Sequence, residues 1–85
     1  MMTPEDRKIY QEFGQFIRAA RRSKKLTQDD VAKLIGITAS FYNYLENGKR
    51  KITLPMAMSI CKALDLDLND FLISRKRKKP QLIAR

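Results

Sequence analysis

The sequence predicts an all-α fold, a compact five-helix domain, and three observations carry that prediction. Apolar residues recur at helical spacing in five successive stretches. Each stretch follows a residue able to cap a helix, namely Thr3, Thr27, Thr38, Thr53 or Asp67. One break, Gly36-Ile37-Thr38, is so short that the helices on either side must meet in a sharp turn. With 85 residues the chain makes one small domain with a modest core, and neither a repeat nor a second domain is visible.

The first helix starts at Thr3-Pro4-Glu5-Asp6, where a capping hydroxyl precedes Pro at the first helical position and acids in the first turn. Ile9, Tyr10, Phe13, Phe16, Ile17 and Ala20 follow at helical spacing. Gly14 costs about 1 kcal/mol in a helix interior, so the helix is either continuous or bent there. Residues 1–12 read as an N-terminal helical extension and 13–73 as the body of the domain. Arg18, Arg21, Arg22, Lys24 and Lys25 form a basic cluster, with no acid between Phe13 and Gln28. The cluster leads into the cap of the second helix, where backbone N–H groups can hold a phosphate and Gln28 can add a side-chain contact.

Thr27 caps that second helix, and Asp29 and Asp30 set negative charge against the positive end of its dipole. Val31, Ala32, Leu34 and Ile35 mark its buried face. Gly36 tolerates the positive φ that ends a helix, and Thr38 caps the third helix two residues later. At about 100° per residue, the third helix sorts Phe41, Tyr42 and Leu45 to one side and Ala39, Ser40, Asn43, Tyr44 and Asn47 to the other. The second arc carries neither charge nor a long aliphatic chain. It offers a methyl, a hydroxyl, an amide and a phenol, groups suited to base edges in a major groove, whereas a merely solvated face usually carries Lys and Glu.

Asn47-Gly48 closes the third helix, and Lys49, Arg50 and Lys51 follow, placed to set position on a nucleic-acid backbone. Thr53 caps a fourth helix with Pro55 in its first turn and Met56, Ala57, Ile60, Cys61 and Leu64 on its apolar face, so the methionines and Cys61 read as packing. Asp67 caps, and Leu68, Phe71 and Leu72 form a fifth, short helix. Residues 74–85 form a basic tail: Arg75 to Lys79 are five adjacent cations before Pro80, expected to repel one another into a disordered arm. Such an arm can track DNA phosphates, bind an acidic partner or keep the chain soluble, and Leu82 and Ile83 can pack on a partner subunit.

Leu26-Thr27-Gln28, Val31-Ala32, Gly36-Ile37-Thr38, Ser40, Tyr42, Leu45-Glu46 and Gly48 resemble the Cro/phage-repressor (C1) type of helix-turn-helix, the xenobiotic-response-element (XRE) family of transcriptional regulators. The likeness runs from about Phe13 to Leu72, and the ordered string of Gln, Ala, Gly, Ser/Thr, Glu and Gly is far more specific than any single position. It implies a lambda-repressor-like domain that binds operator DNA, usually as a dimer. It also implies that Arg21 pairs with Glu46 as a structural ion pair. Two positions depart from the pattern: Tyr42 stands where a small aliphatic is common, and Ala39 where many members have a polar residue.

On this reading Ala39, Ser40, Asn43 and Tyr44 contact bases. Arg22, Lys24, Lys25, Thr27, Gln28, Thr38, Asn47, Lys49 and Arg50 contact phosphates.

Composition excludes several other classes. Lys and Arg number 18 against 9 Asp and Glu, a net charge of +9 that favours a polyanion such as nucleic acid, with an anionic membrane surface as the rival. The single cysteine forbids an intramolecular disulfide, and the lack of His excludes His-dependent catalysis and Cys/His zinc sites. No Gly-rich phosphate loop or Gly-x-Ser-x-Gly is present, so no catalytic residue, metal or cofactor is expected. No apolar run approaches a membrane span, and the acidic, polar start does not suit a signal peptide, so a cytoplasmic protein is expected, with no membrane partner and no small-molecule ligand.

The expected function is sequence-specific binding of double-stranded DNA by a homodimeric regulator, a repressor on a palindromic operator. The alternative is an antitoxin-like interaction module that sequesters a partner protein and binds DNA secondarily.

Overall fold

The computed structural model describes residues 2–78 and contains five helices: α1 Pro4–Ser23, α2 Gln28–Ile35, α3 Ala39–Glu46, α4 Leu54–Ala63 and α5 Leu68–Lys78. No strand occurs among the described residues. One local grammar builds every helix start. The hydroxyls of Thr3, Thr27, Thr38 and Thr53 each accept a hydrogen bond from the N–H three residues on, at 3.0–3.3 Å. Asp6 and Asp30 return the bond to the backbone N–H of Thr3 and Thr27, completing two capping boxes. Asp67 begins α5 by accepting from the N–H of Asn69 at 2.9 Å.

The helix ends are equally regular. Lys25, Gly36, Gly48 and Asp65 adopt left-handed backbone with φ of 60, 77, 69 and 56°. In each case the next residue, Leu26, Ile37, Lys49 or Leu66, donates its N–H to the carbonyl five residues back. Leu26, Ile37 and Leu66 then pack against the core, so each closure also aims the chain toward its next contact.

That core consists of Phe13, Ile17, Val31, Ala32, Tyr42, Leu45, Ala57, Ile60, Cys61, Leu64 and Phe71. Phe13, Phe16 and Phe71 form an aromatic cluster joining α1 to α5, with Phe13 and Phe71 edge-on at 5.2 Å. Helix α3 packs on both α1 and α2, α2 packs on α4, and α4 on α5.

Four readings of the sequence are resolved or changed by the fold. Helix α1 is continuous through Gly14, with no break between residues 12 and 13. Gly14 is there for proximity: a Cβ at this position would lie 2.1 Å from the carbonyl oxygen of Glu46, so only glycine lets α1 cross the end of α3 this closely.

Leu34 is not on the buried face of α2. It is 64% exposed, because the helix turns Val31, Ala32 and Ile35 toward its neighbours and leaves Leu34 outside that arc. Met58 and Leu72 are likewise exposed at 58 and 52%, since one face of α4 and of α5 has no helix over it.

Helix α5 extends through Ser74 to Lys78, past the point where disorder was expected to begin. The Nε of Arg75 donates to Glu12 Oε1 at 2.6 Å and ties this stretch to α1, so one of the five adjacent cations is neutralised by a carboxylate. The rest of the tail, with Leu82 and Ile83, lies outside the described residues.

Candidate nucleic-acid interface

The end of α3 is fixed by a buried ion pair. Glu46 is 1% exposed and Arg21 9%. Arg21 Nε donates to Glu46 Oε2 at 2.6 Å and Nη2 donates to Oε1 at 3.2 Å, while Nη1 reaches the carbonyl of Leu26 at 2.8 Å. One guanidinium therefore holds together α1, the turn after it and α3. Burial pushes the Glu46 carboxyl up, but hydrogen bonds from Arg21 and then Gln28 outweigh it and hold the group below its ordinary value. The Arg21 guanidinium is raised in turn by its bond to Glu46. Tyr42 lies beside the pair, wholly buried, and its hydroxyl has no partner within hydrogen-bond geometry among the described residues. Burial first and the Glu46 carboxylate second push its phenol above the ordinary 10.0.

From Glu46 a closed circuit of side chains runs along the edge of α3. Gln28 Nε2 donates to Glu46 Oε1 at 3.0 Å, and Asn43 Nδ2 donates to Gln28 Oε1 at 3.1 Å. Asn47 Nδ2 donates to Asn43 Oδ1 at 3.2 Å, Arg18 Nη2 donates to Asn47 Oδ1 at 2.8 Å, and Arg18 Nε returns to Glu46 Oε1 at 3.3 Å. The circuit engages three residues assigned to DNA from the sequence. Both ends of Gln28, Asn43 and Asn47 are engaged, and each amide keeps at least one further donor or acceptor site. Arg18 has no role in the sequence reading beyond its cluster. Its partners stand 28 and 29 residues away, and no local pattern announces them.

On the outer side of α3 the structure brings the expected base-contacting residues together. Ala39, Ser40, Asn43 and Tyr44 line one open hollow of about 270 Å³ with Gln28. Ser40 and Tyr44 are exposed, and Ala39 and Asn43 half-buried. The hydroxyls of Thr27 and Thr38 serve as caps at the head of α2 and α3, and both residues are exposed.

Arg22, Lys24 and Lys25 are exposed at the α1–α2 turn, and Lys49, Arg50 and Lys51 are exposed after α3. None of these six cations is held by a carboxylate among the described residues. A neutral, concave face on α3, preceded and followed in the chain by cations that no carboxylate among the described residues holds, suits a duplex, whose phosphates flank the groove that carries base edges.

This geometry defines a helix-turn-helix domain, and the chain belongs to the HTH_3 helix-turn-helix family, whose model matches residues 17–71. The chain is 34% identical over 58 residues to the HTH-type transcriptional regulator PrpR of Mycobacterium tuberculosis; the match covers 68% of this chain and only 12% of that protein.

Its fold is similar to that of the clp gene regulator ClgR from Corynebacterium glutamicum, with a TM-score of 0.76, 23% identity and coverage of 86% of this chain and 96% of that one. It is also similar to the restriction-modification controller protein C.AhdI from Aeromonas hydrophila, with a TM-score of 0.72, 28% identity and coverage of 81% and 99%. The chain is thus a DNA-binding regulatory module of the Cro/C1 type. No helix among the described residues is long and apolar enough to cross a membrane.

Proposed function

We propose that this chain binds a specific double-stranded DNA site as a homodimer and represses transcription in the cytoplasm by occupying a palindromic operator. Helix α3 enters the major groove with Ala39, Ser40, Asn43 and Tyr44 toward the bases. Thr27, Thr38, Arg22, Lys24, Lys25 and Lys49 hold the flanking phosphates, and Gln28 and Asn47 join them.

The observation that carries this reading is the outer face of α3, concave and free of charge, preceded and followed in the chain by exposed cations that no carboxylate among the described residues holds. A second copy finds an apolar surface at Leu72 and Ile73, which are 52 and 42% exposed on α5. Selecting binding sites from random duplex DNA at a fixed salt concentration tests the proposal. A palindromic consensus is the expected outcome, and a pool that stays random overturns sequence-specific binding.

A further inference from the structure

The cations with a defined partner divide by what holds them. Arg18 and Arg21 bond Glu46, Lys33 bonds Asp29 and Arg75 bonds Glu12. Arg50 is held differently. Its guanidinium lies over the ring of Tyr44, 5.4 Å from the centroid, and 5.9 Å from the centroid of Phe41. Both distances fall within the range of about 6 Å over which a ring face attracts a cation.

The two rings fix where the charge sits without using its hydrogen-bond donors. Among the described residues no hydrogen bond or ion pair engages Arg50, so its planar fork of N–H groups is oriented and uncommitted there. Neither Lys49 nor Lys51 on either side has such an anchor. The location matters as much as the chemistry: Tyr44 lines the hollow on the outer face of α3, and Arg50 borders that hollow by lying over Tyr44. A phosphate needs only a nearby positive charge, which the strongly hydrated ammonium of a lysine supplies. A fork held in place beside a groove-facing phenol matches a pair of acceptors at fixed spacing, which in a major groove is the O6 and N7 edge of guanine.

We propose that Arg50 is a specificity-determining residue that reads a guanine edge beside the base contacted by Tyr44, with the Tyr44 ring setting its orientation. The inference rests on the reading of α3 as the helix that enters the groove.

Titration of a selected consensus duplex and its single-base variants tests it, using the full chain and the variants Arg50→Ala, Arg50→Lys, Tyr44→Phe and Tyr44→Leu. Arg50→Ala and Arg50→Lys should each lose about tenfold of the preference for one G·C pair per half-site. Tyr44→Phe should keep that preference, because the ring remains, whereas Tyr44→Leu should lose it. A loss spread equally over all the duplexes, with the slope of log affinity against log salt falling by about 0.9 in Arg50→Ala, would make Arg50 a phosphate contact and overturn the inference. If the unmodified chain prefers no duplex over another, the reading of α3 itself fails; if it has a preference that Arg50→Lys leaves intact at every position, only the role of Arg50 fails.

Discussion

Arg21 and Arg50 stand on opposite sides of α3 and show how one side chain serves two ends. Arg21 is buried and gives hydrogen bonds from all three of its nitrogens to Glu46 and Leu26. Arg50 is exposed, rests on two aromatic rings and gives none among the described residues. The first arrangement fixes the helix: with α1, the following turn and α3 sharing one guanidinium, the third helix cannot shift without breaking buried charge-assisted bonds. The second leaves donors available to a ligand. In this fold Arg18, Arg21 and Arg75, which face carboxylates on other helices, tie the scaffold together, whereas the guanidinium of Arg50 faces two rings.

The contrast is broken most severely on the buried side. Glu46→Gln strands Arg21 in the core, and losing one partner of a buried pair costs about 3–5 kcal/mol, read as a fall in the urea midpoint of unfolding. An unchanged midpoint would show that the circuit through Gln28, Asn43, Asn47 and Arg18 sustains α3 without its carboxylate.

Gly14→Ala is next. Its methyl would lie 2.1 Å from the backbone carbonyl oxygen of Glu46, and overpacking of this kind costs about 1–3 kcal/mol. Because the strain falls at the end of α3, the variant should also bind its consensus duplex more weakly at temperatures where it remains folded. Circular dichroism melts paired with DNA titrations would show whether the loss is confined to stability.

Acid should act on the same region. The folded-state value of Glu46 is depressed, so the stability it contributes is complete above the ordinary glutamate value of 4.5 and is lost as the pH falls through the lower folded value. Unfolding midpoints measured between neutral pH and the acid limb should fall below that value, and Glu46→Gln should flatten the fall.

The smallest effect is expected on the outer side. Lys49→Ala should leave the urea midpoint in place and weaken specific and non-specific duplexes about equally, with the salt slope reduced by about 0.9 for the lost phosphate. Unequal weakening would move Lys49 from the backbone to the bases.

The two sides also differ in how far the sequence discloses them. Helix starts are written locally: a Thr and the residue three positions on suffice, so Thr3, Thr27, Thr38 and Thr53 are legible without tertiary structure. The outer arc of α3 is legible for a similar reason, since periodicity alone separates Ser40 and Tyr44 from Tyr42 and Leu45.

What escapes the sequence is set by packing over long separations. The purpose of Gly14 depends on the Glu46 carbonyl, the position of Arg18 on Glu46 and Asn47, and that of Arg75 on Glu12. Leu34 shows the same limit from the other side: helical spacing offers it to the core, and only the placement of α3 and α4 decides which edge of α2 is covered. Arg50 reads as one of three adjacent cations until its return over Phe41 and Tyr44 is seen.

The division of labour across α3 is tested most directly by comparing Tyr44→Ala with Glu46→Gln on one consensus duplex and its single-base variants, alongside urea unfolding of both proteins. Tyr44→Ala should keep its unfolding midpoint and lose preference at one or more base pairs per half-site. Glu46→Gln should lose stability yet keep the preference pattern wherever it is folded. Retention of the full preference by Tyr44→Ala at every position would contradict the account, because the outer face of α3 would then not be the surface that reads DNA.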